Sequence, residues 1–285
     1  MPHNPLMIYP VQAPVQDSPF ALYETLFASF DRADLTPHAG DVIAVSSKYA
    51  AISEGRVVDM DAVDVTDEAN ELAARYNMLP VMAQLVLDEA DFIFGGISLG
   101  FLLTAKDGII SPNAGLDRSN IPGGKVVLFS EHPYVTAESI RQAVQARYGV
   151  PVGVILTDSW LMPGRQGTTG VALATAGFFP TQDERGKEDL FGNPMAVTVR
   201  GVADTLAASA QLVMGERAEA TPFALVRNAE IELTDTPISK EDVAIDWQHC
   251  IYVDSLTVGL RGEDVIRAIV EAPPYQPKPR ETAIE

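Results

Sequence analysis

Val152-Gly-Val-Ile-Leu-Thr-Asp-Ser159 is a short apolar run that turns polar at its end. Its length and its β-branched residues predict a buried strand. The carboxylate of Asp158 would then lie at the C-terminal end of this strand, where open α/β sheets commonly bind ligands. The plainer alternative is a strand end at which Asp158 caps the next element.

The next segment, Met162-Pro-Gly-Arg-Gln-Gly-Thr-Thr-Gly170, is rich in Gly and Thr and carries a single cation, Arg165. Backbone amides and a guanidinium group can surround an anion. This composition indicates an anion site beside the strand, with an ordinary connecting loop as the alternative.

A second informative segment lies upstream and reads Ser111-Pro-Asn-Ala-Gly-Leu-Asp-Arg-Ser-Asn120. It has neither the helical nor the strand period, so it is predicted to be a loop that buries little apolar area. Its amides, hydroxyls and the carboxylate of Asp117 suit phosphate oxygens and a hard metal ion. The same residues also favour simple turns, so a connector remains an equal alternative.

A third segment begins at Asp204 with apolar residues at helical spacing, and Gly215 follows as a predicted C-cap. Glu216 and Glu219 come directly after this helix. Acids are disfavoured at a helix C-terminus, and a metal ion would compensate for them. Solvated surface charge is the alternative.

The remaining pattern predicts further strands and helices, with no internal repeat. Strands are expected at residues 7–12, 42–46, 92–94, 99–104, 126–129, 195–200, 223–227 and 251–253, with a small apolar element at 171–179 packed against the sheet. Helices are expected at residues 20–30, 67–76, 81–90, 136–148, 239–242 and 262–271, and a proline-rich tail at 273–279.

Composition limits the possible functions. The 285 residues include 39 acidic and 20 basic side chains, which gives a net charge of −19 and disfavours nucleic acid as a partner. Cys250 is the single cysteine, so no intrachain disulfide can form, and a structural role for it is expected. No apolar run is long enough to span a membrane and no signal peptide is recognisable, so a cytoplasmic location is expected.

Taken in chain order, the segments at 111–120, 152–170 and 204–219 resemble those of the coenzyme F-420 γ-glutamyl ligases. The matching segments are Gly40-Asp-Val-Ile-Ala-Val, Ser53-Glu-Gly-Arg-Val-Val-Asp59, Asn113-Ala-Gly-Leu-Asp-Arg-Ser-Asn120, Gly153-Val-Ile-Leu-Thr-Asp158, Arg185-Gly-Lys-Glu-Asp-Leu-Phe-Gly192, Val202-Ala-Asp204 and Leu212-Val-Met-Gly-Glu216. The resemblance implies a mixed α+β fold of sheets and packed helices in two closely joined lobes. It implies a core over residues 1–232, a C-terminal extension over 233–285, and a homodimer.

Members of this family use GTP and Mg²⁺ or Mn²⁺ to convert a substrate carboxylate into an acyl phosphate, which L-glutamate then attacks. The resemblance therefore implies a ligase acting on the F-420 precursor or a related small acid. It assigns metal ligation to Asp117, Asp158, Ser159 and Glu216. It assigns nucleotide binding to Pro14, Ser47, Lys48, Asn120, Met214, Gly215 and Glu216, and catalysis to Asp117, Asp158 and Arg165.

Two departures from the family pattern bear on this interpretation. A Lys that commonly precedes the Glu-Gly-Arg segment and binds nucleotide is replaced by Ile52, and Lys48 is a candidate substitute. Residues 161–165 lack one cation and one aromatic ring and retain only Arg165, which bears on the choice of acid substrate. The altered loop makes a non-catalytic nucleotide-binding paralogue an alternative function, and the acid cluster alone would permit a metal-dependent phosphohydrolase.

Overall fold

The structure, a computed structural model, describes residues 4–245 and 249–253. The chain divides into one compact unit that reaches to Ala244 and a second that begins at Ile245. Residues 233–244 thus lie within the first unit, and the expected division at 232/233 stays a prediction. The expected helix at 262–271 and the proline-rich tail lie outside the described residues.

Strands and helices are interspersed along the first unit. The strands are β1 Met7–Val11, β2 Val42–Ser46, β3 Val57–Asp59, β4 Phe92–Ile97, β5 Phe101–Lys106, β6 Ile109–Pro112, β7 Lys125–Val127, β8 Gly153–Leu161, β9 Thr168–Ala176, β10 Thr181–Asp183, β11 Val199–Gly201 and β12 Phe223–Arg227. The α-helices are α1 Leu22–Arg32, α2 Ser47–Ser53, α3 Asp67–Tyr76, α4 Pro80–Glu89, α5 Pro133–Tyr148 and α6 Val202–Met214. The mixed α+β class predicted from the sequence is confirmed.

The central sheet has five strands in the order β1-β12-β2-β8-β9. Strands β2 and β8 are parallel, and the other neighbours are antiparallel. Because successive side chains in a strand point to opposite faces, β2 contributes to both cores. Its Ile43 and Val45 pack with α1, α2 and α5, whereas Val42 and Ala44 pack with α6 on the other face.

Three small sheets complete the unit: β3 with β7, β10 with β11, and the meander β4-β5-β6. Helices α3 and α4 pack against one another beside the meander. Pro80 begins α4, one residue before the predicted start at 81, because a proline in the first turn sacrifices no helical hydrogen bond.

Several predicted elements are wrong in extent or type. Residues 195–200 were expected to be a strand, but only Val199–Gly201 pairs, as β11. Ile251–Val253, predicted as a strand, is helical. Helix α2, which no periodicity indicated, begins directly after β2, with the Ser46 hydroxyl accepting a hydrogen bond from the Tyr49 N–H.

Strand β8 is longer than predicted. It pairs with β2 only as far as Thr157, but it continues to Leu161 in a hairpin with β9. Asp158 therefore lies inside a strand rather than at its end, and it caps no following element. It still occupies the edge where the parallel pairing stops, because β2 turns into α2 at that point.

Candidate functional site

A cavity of about 740 Å³ opens at this edge of the central sheet. Its walls come from four regions: the junction of β2 and α2, the middle of β8, residues 117–122, and residues 214–222 after α6, with residues 13–17 at its rim. Its size is in the range of small-molecule and cofactor sites, which run from roughly 300 to 1,000 Å³. The three segments singled out in the sequence thus meet in one cavity.

Lys48 and Asp117 form an ion pair inside this cavity. The distance from Lys48 Nζ to Asp117 Oδ2 is 2.5 Å. Lys48 Nζ also donates to the carbonyl oxygen of Ser119 at 2.9 Å and to its Oγ at 2.6 Å. The Ser119 N–H and hydroxyl in turn donate to Asp117 at 2.7 and 3.0 Å. Asp117 itself is fixed by its backbone bridge to Val127 at the end of β7.

Asp158 is half-buried beside this pair. Burial, and to a smaller extent the negative charge of Asp117, raise the pKa of its carboxyl to about 6. Hydrogen bonds from Ser159 N–H and the Ser47 side chain, with the charge of Lys48, act in the opposite direction on this pKa. A carboxyl group in such a position releases its proton readily when a cation binds.

Glu216 faces β8 from the segment after α6. Its Oε2 accepts from Ser159 Oγ at 2.9 Å, and its Oε1 accepts from Gln211 Nε2 at 2.9 Å and from Thr168 Oγ1 at 3.3 Å. These donors are neutral, so the hydrogen bonds orient the carboxylate while its charge remains.

The polypeptide after α6 is held in a tight turn against the cavity. Gly215 ends the helix, as predicted, with a φ of 77°. A Cβ at this position would lie 2.5 Å from the Glu219 side chain, which folds back to accept from the Arg217 N–H at 2.7 Å. Asn120 Nδ2 donates to the Arg217 carbonyl at 2.8 Å and so joins this turn to residues 117–122.

Negative charge dominates the cavity. The described residues that line it include five acids and two cations: Asp17, Asp117, Asp158, Glu216 and Glu219 against Lys48 and Arg217. A polyphosphate would be repelled by such a wall unless cations accompanied it. In residues 4–245 and 249–253, no three acidic, His or Cys side chains come together as a group that could hold a metal ion.

The donor set nevertheless fits Mg²⁺ or Mn²⁺ bound together with a phosphorylated ligand. Mg²⁺ is commonly held by one or two carboxylates, with substrate phosphates and water completing its coordination, rather than by an all-protein cage. Asp117 and Asp158 are close enough for the charge of one to raise the pKa of the other, and Ser159 adds a hydroxyl oxygen beside Asp158.

Most residues assigned from the resemblance meet in the cavity. Its lining contains Pro14, Lys48, Asn120, Asp117, Asp158, Ser159, Met214, Gly215 and Glu216. Ser47 lines a small adjoining cavity that shares Lys48, Asp117 and Asp158. Arg165 lies on the exposed turn between β8 and β9 and is not among the described residues that line either cavity.

Lys48 and Ile52 both line the cavity from α2. Residues four apart share one face of a helix, so the chain presents a cation one turn before the position at which the family commonly has its Lys. Ile52 is only 2% exposed and packs against Val127.

Several residues that build the cavity were not predicted from the sequence. Gln211 lies one turn before the end of α6, and this spacing could have pointed to it. Tyr49 gave no comparable signal; its hydroxyl donates to the Pro14 carbonyl at 2.7 Å and so fixes the rim. Asn113, expected to offer its amide to a ligand, bonds instead to Leu102 N and to the Gly100 carbonyl.

Other matching segments serve the fold. Arg56 donates to both carboxylate oxygens of Glu89 at 2.8 Å and to the Phe129 carbonyl at 3.0 Å. Asp189 accepts from Phe191 N and Asn193 N, each at 2.8 Å, and closes an exposed loop.

In the described part of the chain, no helix has the length and apolar character needed to cross a membrane.

Comparison with known proteins agrees with these features. The family model described as "F420-0:Gamma-glutamyl ligase" matches residues 11–228. Proteins named "Coenzyme F420:L-glutamate ligase" are similar to the chain. The one from Methanopyrus kandleri is 35% identical over 195 residues, which cover 68% of this chain and 77% of the relative.

The protein of that name from Methanocaldococcus jannaschii is 36% identical over 193 residues, covering 67% of this chain and 77% of the relative. The one from Halobacterium salinarum is 40% identical over 207 residues, covering 70% and 79%. The matched region contains every residue lining the cavity, from Ala13 to Pro222. The chain therefore belongs to the F420-0:gamma-glutamyl ligase family.

Proposed function

We propose that this protein is a GTP- and divalent-metal-dependent ligase that adds L-glutamate to a carboxylate of the coenzyme F-420 precursor or a related small acid. The observation that carries the proposal is the convergence of Asp117, Asp158, Ser159 and Glu216 with Lys48 and Asn120 in one cavity. The family and the names of its relatives supply the reaction class.

The reaction needs an activated carboxyl group, because a carboxylate is a poor electrophile. In the proposed sequence, a carboxylate oxygen of the acid attacks the γ-phosphorus of GTP, and GDP leaves. The amino nitrogen of glutamate then attacks the acyl carbon, inorganic phosphate leaves, and the nitrogen loses a proton to give the amide. Such phosphoryl chemistry depends mainly on positioning and charge neutralisation.

When bound, Mg²⁺ or Mn²⁺ would neutralise phosphate charge as the phosphoryl group is transferred. Asp117 and Asp158 would hold the metal, with Ser159 and Glu216 beside them. Lys48 offers an ammonium group on the same side of the cavity. The Asn120 amide and the turn at Gly215 would position the nucleotide. The expected assembly of the protein is a homodimer.

The net negative charge of the cavity lining supports metal dependence, because it would repel a nucleotide that carries no cation. The lining carries three more acids than cations among the described residues, so a free triphosphate would meet net repulsion. A triphosphate that carries divalent metal has most of its charge cancelled and can approach the two carboxylates.

The test incubates the protein with GTP, Mn²⁺, glutamate and the F-420 precursor, with ATP in a parallel reaction. Mass spectrometry should detect GDP and a product heavier by one glutamyl residue. GDP without a glutamylated product would favour a phosphohydrolase or another acid substrate. Binding of GTP without turnover would favour the non-catalytic paralogue.

A further inference from the structure

The Lys48 ammonium makes a complete set of hydrogen bonds. An ammonium group has three N–H donors, and three oxygen atoms surround it: Asp117 Oδ2 at 2.5 Å, Ser119 Oγ at 2.6 Å and the Ser119 carbonyl at 2.9 Å. Its side chain is 17% exposed, so water reaches little of it. Without a ligand, the cation is therefore engaged by the cavity wall itself.

The Asp117 carboxylate is nearly saturated by the same contacts. A carboxylate has about four lone-pair positions. Its Oδ2 accepts from Lys48 Nζ and Ser119 Oγ, and its Oδ1 accepts from Ser119 N. A metal ion that coordinates Asp117 must compete for these positions, and its charge would also repel the ammonium.

The charge of Lys48 acts on both acids. Asp117 and Asp158 repel one another, and Lys48 offsets this repulsion in the absence of other cations. The lysine sits in the first turn of α2, and its flexible four-carbon stem can carry the ammonium elsewhere in the same cavity.

We propose that Lys48 is the resident counter-ion of the Asp117–Asp158 pair, that a divalent cation displaces its ammonium from Asp117, and that the released ammonium then binds nucleotide phosphate. The inference rests on the proposed function, because it requires metal and nucleotide to share this cavity. Lys48 would then couple the two binding events. The metal releases the ammonium from Asp117, and the nucleotide phosphate keeps the ammonium away from Asp117. By linkage, each ligand then strengthens the binding of the other.

A purely structural ion pair would behave differently. Lys106 and Glu89 form such a pair at 2.5 Å, and neither lines the cavity. Removing a structural lysine would weaken the binding of both Mn²⁺ and GTP, or of neither. Removing Lys48 is expected to affect the two ligands in opposite directions.

The experiment uses the full-length chain as wild type, Lys48→Met and Lys187→Met. Lys187→Met is the matched control, since it removes one positive charge from a surface pair with Glu184 at 2.9 Å outside the cavity. Calorimetry measures Mn²⁺ binding alone and then GTP binding at saturating Mn²⁺. For Lys48→Met we expect Mn²⁺ to bind about tenfold more tightly and GTP about tenfold more weakly. This size is expected because the burial of the Lys48–Asp117 ion pair lies between that of exposed and fully buried pairs. Lys187→Met should match the wild type in both titrations.

Unchanged or weaker Mn²⁺ binding by folded Lys48→Met would overturn the proposal while leaving the proposed function intact. Failure of the wild type to bind Mn²⁺ and GTP would instead reject the proposed function, and this inference with it. Wild-type crystals soaked in Mn²⁺ test the displacement without any variant. The anomalous peak should lie at Asp117, with Lys48 Nζ beyond hydrogen-bond distance from Oδ2; an ammonium that stays in place beside bound manganese would contradict the proposal.

Discussion

The hydroxyl of Ser159 donates a 2.9 Å hydrogen bond to Oε2 of Glu216, 57 residues later in the chain. One residue comes from β8 in the central sheet and the other from the turn that ends α6. Their contact joins two cavity walls built by different layers of the fold, so it places a hydroxyl and a carboxylate together next to Asp158.

Ser159 can therefore be tested by a pair of substitutions. Ser159→Ala removes one donor from Glu216 and an oxygen from the cavity, which should lower the free energy of unfolding by about 1 kcal/mol. Loss of this orientation should weaken Mn²⁺ binding about tenfold, the lower end for groups that orient metal ligands. Ser159→Thr keeps the hydroxyl and should stay close to the wild type. Calorimetric affinities that are equal for the Ala and Thr variants would refute this role.

The raised pKa of Asp158 makes stability depend on pH in a defined direction. Its folded-state value of about 6 exceeds the ordinary 3.8, so the folded protein holds this proton more tightly than the unfolded chain. The contribution of Asp158 to the free energy of unfolding therefore falls as pH rises from about 4 to about 6. Asp158→Asn should stabilise the metal-free protein by about 1–3 kcal/mol at pH 7, and by much less at pH 4.

The same substitution should act oppositely on metal-dependent stability. Mn²⁺ with GTP should raise the melting temperature of the wild type, because a ligand that binds only the folded state stabilises it. Asp158→Asn should lose most of that rise. Chemical denaturation at the two pH values and thermal melting with and without Mn²⁺–GTP provide the measurements. A variant that is less stable at pH 7 without metal would show that burial does not penalise this carboxylate.

A buried ion pair outside the cavity, between the residue before β2 and the last residue of β12, should contribute strongly to stability. Arg227 Nη2 lies 2.7 Å from Asp41 Oδ2, Arg227 also donates to the Thr36 carbonyl at 2.8 Å, and Asp41 is 2% exposed. Asp41→Ala leaves the guanidinium without its partner, so we expect a loss of about 3–5 kcal/mol in the free energy of unfolding.

The control is an ion pair of similar length on the surface. Arg147 Nη2 lies 2.7 Å from Asp31 Oδ2, with the two side chains 42% and 57% exposed. Asp31→Ala should cost at most about 1 kcal/mol because solvent screens the pair. Denaturant titration of both variants gives the comparison, and equal losses would contradict the role assigned to burial.

The turn at Gly215 should tolerate no side chain. Its φ of 77° and ψ of −179° fall in a region that is almost restricted to glycine, and an added Cβ would meet the Glu219 carboxyl group. Gly215→Ala should lower the free energy of unfolding by about 1–3 kcal/mol and weaken GTP binding by displacing the turn. Gly123→Ala, with open space around its Cβ, should change neither quantity. Wild-type GTP affinity in the Gly215 variant would argue against a role for this turn.

Local periodicity was enough to locate most of the elements that build the central sheet. Strands β2 and β12 were predicted with their observed bounds because each is a short continuous apolar run, and helix α3 because its sequence has a helical pattern. Gly215 was predicted as a helix end, since this position requires a backbone conformation that favours glycine. The family, too, followed from short segments read in order.

The sequence pattern failed where contacts distant in the chain decide the structure. Helix α2 follows directly on a strand and has no clear apolar period of its own, so only its packing against β2, β7 and β8 distinguishes it. Strand β8 continues past Asp158 because β9 pairs with it. The polar residues that follow Thr157 do not predict this pairing. Asn113 and Asp117 look equally available in the sequence, yet Asn113 is used by Leu102 and Gly100, and Asp117 faces the cavity.

By itself, the sequence determined the family, the α+β class and the chemistry of the groups available for a site, because these depend on residue identity and local spacing. Only the tertiary structure decided which of those groups share one cavity, that Lys48 is engaged by Asp117, and that Arg165 lies outside it. The physical reason is that charge coupling depends on distances across strands and turns that are far apart in the chain. A carboxylate acquires its pKa, and a lysine its partner, only when the fold has brought them together.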